Sequence, residues 1–317
     1  MIKTSHFKIL ALGSLTLTAL VVSQGAFAHT RLEIPTVLEG ITVGHAQSGR
    51  VLNQVVIGHG CPPAATRQPT FGTSVVFPNA ISYTPIIGVN SNNAGATAGL
   101  AGAVFTTKPA SSFYSPLAGI GQIIRTGGPW EHNNNKADTL GNVDGFWAGG
   151  KNYDQSISTP IDVPFYTHAI TITSASCARS VTFELAIADV CNDVSTPSTL
   201  ATDEQVLYWS PIPNFSGVPG APFGTPVGDA TRSIPVGPKF SNYDGYQDAG
   251  HTFPGDGWGS PATLTVTRNT TANPLPAGCT GNGGKGDDIF VFPSAQQINA
   301  ELPVWSNANQ TGTAYWQ

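Results

Sequence analysis

The amino-acid sequence predicts an all-β fold, an irregular sandwich or barrel with long Gly/Asn/Pro-rich loops. Three observations lead there. Short runs with period-two alternation or β-branched content recur between turn signals. No stretch shows strong helical periodicity. The composition is loop-rich: of 317 residues 36 are Gly and 25 Pro, while charged residues make up only 10%. The length allows a sizeable core, and residues 29–317 read as a single domain.

Strands are expected at residues 51–57, 73–77, 165–173, 181–190, 205–209, 262–267 and 288–292. In 165–173 alternation places His168, Ile170 and Ile172 on one face, with Ala169, Thr171 and Thr173 on the other. The run 181–190 alternates again after a turn at 176–180, so the two suggest a hairpin. Between strands lie long loops rich in Gly, Asn, Pro and Ser, notably 90–103, 126–154 and 211–260. Loops this long are usually functional rather than passive connectors.

Residues 1–28 read as a secretory signal: Lys3 and Lys8 give a basic start, residues 9–22 are mostly apolar, and Ala26-Phe27-Ala28 is an A-x-A cleavage site. The mature chain is then expected to begin at His29, outside the cell or on its surface. The apolar stretch is too short and too broken by Gly13, Ser14, Thr16 and Thr18 for a membrane span, and no later segment comes closer. The formal net charge is −5, and losing Lys3 and Lys8 makes the chain more acidic still, which argues against a nucleic-acid partner.

Four cysteines, Cys61, Cys177, Cys191 and Cys279, suggest two disulfides in an oxidising compartment. If 181–190 is one extended strand at about 3.3 Å per residue, Cys177 and Cys191 stand at its opposite ends, beyond the roughly 7 Å Cα limit for bridging. Each is therefore expected to pair with Cys61 or Cys279, in either order.

The ligand inventory is narrow. Met1, the single methionine, leaves with the signal, and no C-x-x-C pair exists. The mature histidines are His29, His45, His59, His132, His168 and His251. Copper needs nitrogen or sulfur donors, and neutral imidazole is the natural one here. Trp130-Glu131-His132, in a loop-forming context, places a tryptophan two residues from a histidine. An intact indole has no readily available lone pair. It can stack on a cation, or it can be oxidised to kynurenine, whose aromatic amine and ketone are ligands. Short matches of this kind are most often a surface Trp beside a solvated His.

His29 offers another arrangement, its α-amino group and imidazole chelating one copper ion together as a histidine brace, although terminal residues are usually mobile unless tied down. His59, beside Cys61, reads as structural, and His45 and His251 as surface residues. The segments at 142–145, 241–245 and 255–258 carry Asp-Gly pairs that offer oxygen ligands for calcium, without EF-hand spacing. No Gly-x-Ser-x-Gly elbow, P-loop or His-Glu-x-x-His motif is present, so hydrolase and nucleotide chemistry lack support.

The start at His29, the Val56-Ile-Gly-His-Gly-Cys61 segment, Trp130-x-His132 and the long Gly/Asn-rich β chain together resemble the surface-associated copper-binding proteins of methane-oxidising bacteria, the MopE and CorA type. The resemblance implies one copper ion, held largely as Cu(I), bound by two histidines and a kynurenine made from tryptophan. Carried over by residue, Trp130 matches the modified tryptophan and His132 the nearby histidine. His168, the next histidine and on an expected strand, is chosen as the second, with His251 in reserve. A weaker likeness, to exported copper proteins with a mature N-terminal histidine and a His-Gly-Cys segment, favours His29. The expected function is copper capture or storage at the cell surface, where outer-membrane components are further partners, without catalysis. The rivals are a copper oxidase, monooxygenase or chaperone using a brace at His29, and a surface module whose aromatic loops bind glycan or protein.

Overall fold

The computed structural model describes residues 30–40, 44–45, 50–58, 69–91, 104–107, 130, 132–154, 160–168, 170–191, 206–209, 262–302 and 315. In chain order the strands are β1 (Arg31–Leu32), β2 (Thr36–Leu38), β3 (Gly44–His45), β4 (Arg50–Ile57), β5 (Thr70–Val76), β6 (Ile86–Asn90), β7 (Val104–Thr107), β8 (His132–Ala137), β9 (Val143–Tyr153), β10 (Ile161–His168), β11 (Ala178–Glu184), β12 (Ala186–Cys191), β13 (Val206–Trp209), β14 (Thr263–Thr267) and β15 (Asp287–Phe292). A single helical turn, α1 (Gly281–Gly284), precedes β15, and a short helix, α2 (Ala295–Glu301), follows it. Ser294 caps α2 by accepting a bond from the Gln297 amide at 3.0 Å.

The fold is all-β, in three sheets. One orders β1-β4-β10 with β3 also on β4; a second orders β2-β14-β11-β15-β6-β7; the third orders β13-β12-β5-β9-β8. Their inward residues meet in one core: Val55 and Val163 from the first, Val181, Val266 and Ile289 from the second, Val75, Phe146 and Ile187 from the third. The Phe77 and Phe165 rings pack edge to face, their centroids 5.6 Å apart. Strand β5 is buried along its whole length, as expected of a central strand covered on both faces. Asn53 on β4 is buried yet satisfied, because its side chain closes a pair of bonds with the Ile34 backbone at 3.0 and 2.8 Å.

Three sequence expectations are corrected. The run 181–190 is not one strand: it breaks at Leu185 into β11 and β12, which belong to different sheets. Leu185 is fully buried, and its amide bonds to the Ala262 carbonyl at 3.0 Å. The continuous burial from Leu185 to Ala188 reflects a chain passing through the core from one sheet into another. The hairpin joining 165–173 to 181–190 does not form either. Strand β10 ends at His168 and pairs with β4, and Ile170 and Ile172 enter the core from irregular backbone whose Ile172 amide is taken by the buried Glu39 carboxylate at 2.6 Å. Third, 126–154 is not one long loop. It contains the hairpin β8–β9, closed by a turn in which Asp138 Oδ1 accepts from the Leu140 and Asn142 amides at 2.8 and 2.9 Å and Gly141 supplies a positive φ of 81°.

Cys177 pairs with Cys279, their Cα atoms 5.5 Å apart. The Arg268 guanidinium gathers the same loops through the carbonyls of Ala178, Ser176 and Thr173 at 2.5, 2.6 and 3.2 Å. The expectation that Cys177 and Cys191 do not bridge each other therefore holds. Cys61 lies outside the described residues. A non-reduced peptide map is expected to link Cys177 to Cys279 and to put Cys61 with Cys191, whose backbone is paired with Thr70 on β5; a map joining Cys177 to Cys61 would contradict the arrangement.

Candidate functional site

Trp130 and His132 flank the entrance to β8, in contrasting environments. Trp130 is 2% exposed and part of the common core. Burying a tryptophan requires an acceptor for its N–H, and the Lys151 carbonyl on β9 provides one, 2.7 Å from Nε1. His132 is exposed and stands opposite Gly149 on β9. Its ring lies against Gly150, where an added Cβ would come within 2.9 Å of the imidazole and where φ is +106°. A side chain at 150 would strain the backbone and displace the ring together. The Trp-x-His pair is thus an exposed imidazole seated on a glycine, beside a buried indole that is a hydrogen-bond donor only. Glu131 lies outside the described residues.

His168 is the last residue of β10, in a different sheet from His132. Its backbone partner is Arg50, which also pairs with His45 on β3. His45, Arg50 and His168 therefore share one backbone register row, a juxtaposition without a sequence signal because β3 is only two residues long. His29, His59 and His251 lie outside the described residues. Among the described residues no group of three or more His, Cys, Asp and Glu side chains is gathered to hold a metal ion.

Of the calcium candidates, only 142–145 is described. Asp144 Oδ2 accepts the Asn79 amide at 2.7 Å, and the nearby Asp138 accepts from Asn142, Leu140 and Asn79. Burial pushes Asp138 up, but these donors hold it below the ordinary carboxylate range. A cation would have to displace the donors that already hold Asp138 and Asp144 Oδ2.

Buried charge is the feature that sequence reasoning missed. Lys136, Asp144, Glu184, Asp189 and Glu301 are all buried. Asp189 accepts the Thr30 hydroxyl at 2.5 Å and the Thr73 hydroxyl at 2.7 Å, fastening the residue after His29 to the central sheet. A lone Asp in the apolar run 186–191 was the available signal. Glu184 sat at an alternating position that reads as solvent-facing; it is instead 3% exposed with Oε2 lacking a hydrogen-bond partner, and desolvation raises its pKa to about 8.

No protein-family model matches this chain, and no curated protein matches it either. No helix among the described residues is long and apolar enough to cross a membrane.

Proposed function

We propose that this chain is an exported copper-binding protein that captures or stores one copper ion, held as Cu(I), at the cell surface. The observation that carries the reading is the exposed His132 imidazole, mounted on strand β8 and seated on Gly150 beside the buried Trp130. A donor on a paired strand is held more rigidly than one on a loop. The resemblance to the MopE and CorA type adds Trp130, as kynurenine, and a second histidine, His168, with His251 in reserve. As an intact indole Trp130 supplies no donor; ring opening would turn its nitrogen, now bonded to Lys151, into an aromatic amine.

Cu(I) titration against a competing chelator tests this. His132→Ala and His168→Ala are each expected to weaken binding by orders of magnitude, and the intact mass of native protein reports oxidation at Trp130. Wild-type affinity in both variants would remove the site.

One observation favours a second reading, the brace at His29. Thr30 is 1% exposed and bonded to Asp189, and Arg31 and Leu32 pair with Val56 and Val55. The segment directly after His29 is thereby tied down, which answers the mobility that weakens terminal sites. A mature chain carrying one extra residue before His29 is expected to lose copper under this reading and to keep it under the first. Absence of tight copper binding in every form would favour a surface module for glycan or protein.

A further inference from the structure

Outside the proposed copper site, a cluster of buried titratable groups among the described residues lies where α2 meets the central sheet. Asp144 on β9 is fully buried and Glu301 at the end of α2 is 8% exposed. The Glu301 carboxyl hydrogen-bonds both the Asp144 carboxyl and the Tyr83 hydroxyl, and its Oε2 accepts the Gln297 amide at 2.9 Å. Asp144 Oδ2 takes the Asn79 amide, while Oδ1 receives no N–H or O–H bond. Ionised carboxylates are acceptors only, so a hydrogen bond between two carboxyls requires a proton on one of them. We propose that Asp144 and Glu301 share a single proton and form a latch that fastens α2 to the sheet and releases it when that proton is lost.

The surrounding charges fit one proton and no more. The Lys136 ammonium on β8 is buried, donates to Ser74 Oγ at 2.5 Å and the Val75 carbonyl at 3.1 Å, and lies 4.5 Å over the Trp147 ring. Every contact suits a cation. One buried lysine balances one carboxylate, and a second buried carboxylate would be uncompensated. Asp138, in the β8–β9 turn, reaches the pair through Asn79 and adds further negative charge. Burial, and then the charge of Glu301, pushes Asp144 up to about 7; burial raises Glu301 as well, against Gln297 and Lys136. Burial and Glu301 raise Tyr83, which stays a neutral donor, and burial lowers Lys136 against the pull of Glu301 and Asp144.

Mechanically the pair does not act alone. Gln297 Nε2 donates to the Phe77 carbonyl at 2.8 Å and its Oε1 accepts the Asn79 backbone N–H at 3.1 Å, so the latch and these bonds grip the same segment. The neighbouring Ile298 and Leu302 are fully buried. Release of α2 would expose them, so the docked state is favoured most in the acid range and is progressively weakened as pH rises towards about 7.

Hydrogen exchange on the mature chain, read by mass spectrometry from acid pH to well above about pH 7 and corrected for intrinsic base catalysis, tests the latch. Because the docked state holds one proton more only between the ordinary carboxylate range and about pH 7, protection of the α2 peptide is expected to fall by up to about tenfold per pH unit from about pH 5 to 7 and to level off above, while a peptide spanning β14, which reports global opening, loses less. Glu301→Gln supplies an amide that can donate to an ionised Asp144, and Asp144→Asn supplies one to Glu301; each should leave α2 docked with a flat pH profile. A flat wild-type profile, or a slope that survives in both variants, overturns the proposal. If neither variant folds, the wild-type comparison of α2 with β14 still decides.

Discussion

Replacing Glu184 with glutamine is expected to remove a large share of the loss of stability that the wild-type protein suffers as pH rises from about 4 to about 8. The folded-state pKa of Glu184 is raised to about 8 because burial removes water without supplying a partner for Oε2. Unfolded, the same carboxyl ionises near its ordinary value of 4.5. Between those values the native state binds more protons than the unfolded state, so unfolding free energy falls with rising pH. The contribution is fully present below pH 4.5 and eroded by pH 8, a change on the order of 4 kcal/mol at 1.36 kcal/mol per unit. At pH 4 the variant should be the less stable protein, by about 1–3 kcal/mol, since a carboxamide buries one more donor than the protonated carboxyl it replaces. Urea unfolding of both proteins at pH 4, 6 and 8 measures the difference, and parallel pH profiles would show that Glu184 is solvated.

Trp130→Ala is expected to destabilise the fold by about 3–5 kcal/mol, the range for large aromatic truncations in a packed core. The side chain is among the largest fully buried ones, and its removal also leaves the Lys151 carbonyl without the 2.7 Å bond from Nε1. Trp130→Phe should cost less, since it keeps an aromatic ring, but it loses the same bond. This bears directly on the copper proposal: a fall in affinity in either variant has to be compared with its unfolding curve. If thermal melts show wild-type stability for Trp130→Ala, the indole is not the core element its burial indicates, and a ligand role becomes easier to sustain.

The fold class was legible in the sequence because β-branched alternation and turn residues are local signals. Residues 51–57, 262–267 and 288–292 appear as β4, β14 and β15 to within a residue. What failed was non-local. Nothing in the alternation of 181–190 says that Leu185 marks a change of sheet; that depends on Ala262, far along the chain, meeting its amide. The hairpin β8–β9 was hidden because Asn133, Asn134 and Asn135 read as loop residues, yet as an edge strand among the described residues β8 presents them to partly or fully solvated positions where they cost little. The Trp-x-His pair was found by pattern, but the burial of one member and exposure of the other were not, since they follow from Lys151 and Gly150 on the partner strand. Lys136, in the same polar run, gave no hint that Ser74, Val75 and Trp147 would enclose it.

The passage of the chain through Leu185 sets an order of assembly. Strand β12 finds neighbours in β5, which precedes it, and in β13, which follows soon after. Strand β11 has β14 on one side and β15 on the other, both from the last quarter of the sequence, and β2 near the N-terminus also waits for β14. A chain emerging from its N-terminus can complete the five-stranded sheet while half of the β11–β12 run still lacks both partners. Closing loops of that span is slow, so the six-stranded sheet is the last to form and the interval before it closes is when the nascent protein is most open to proteolysis and misassociation.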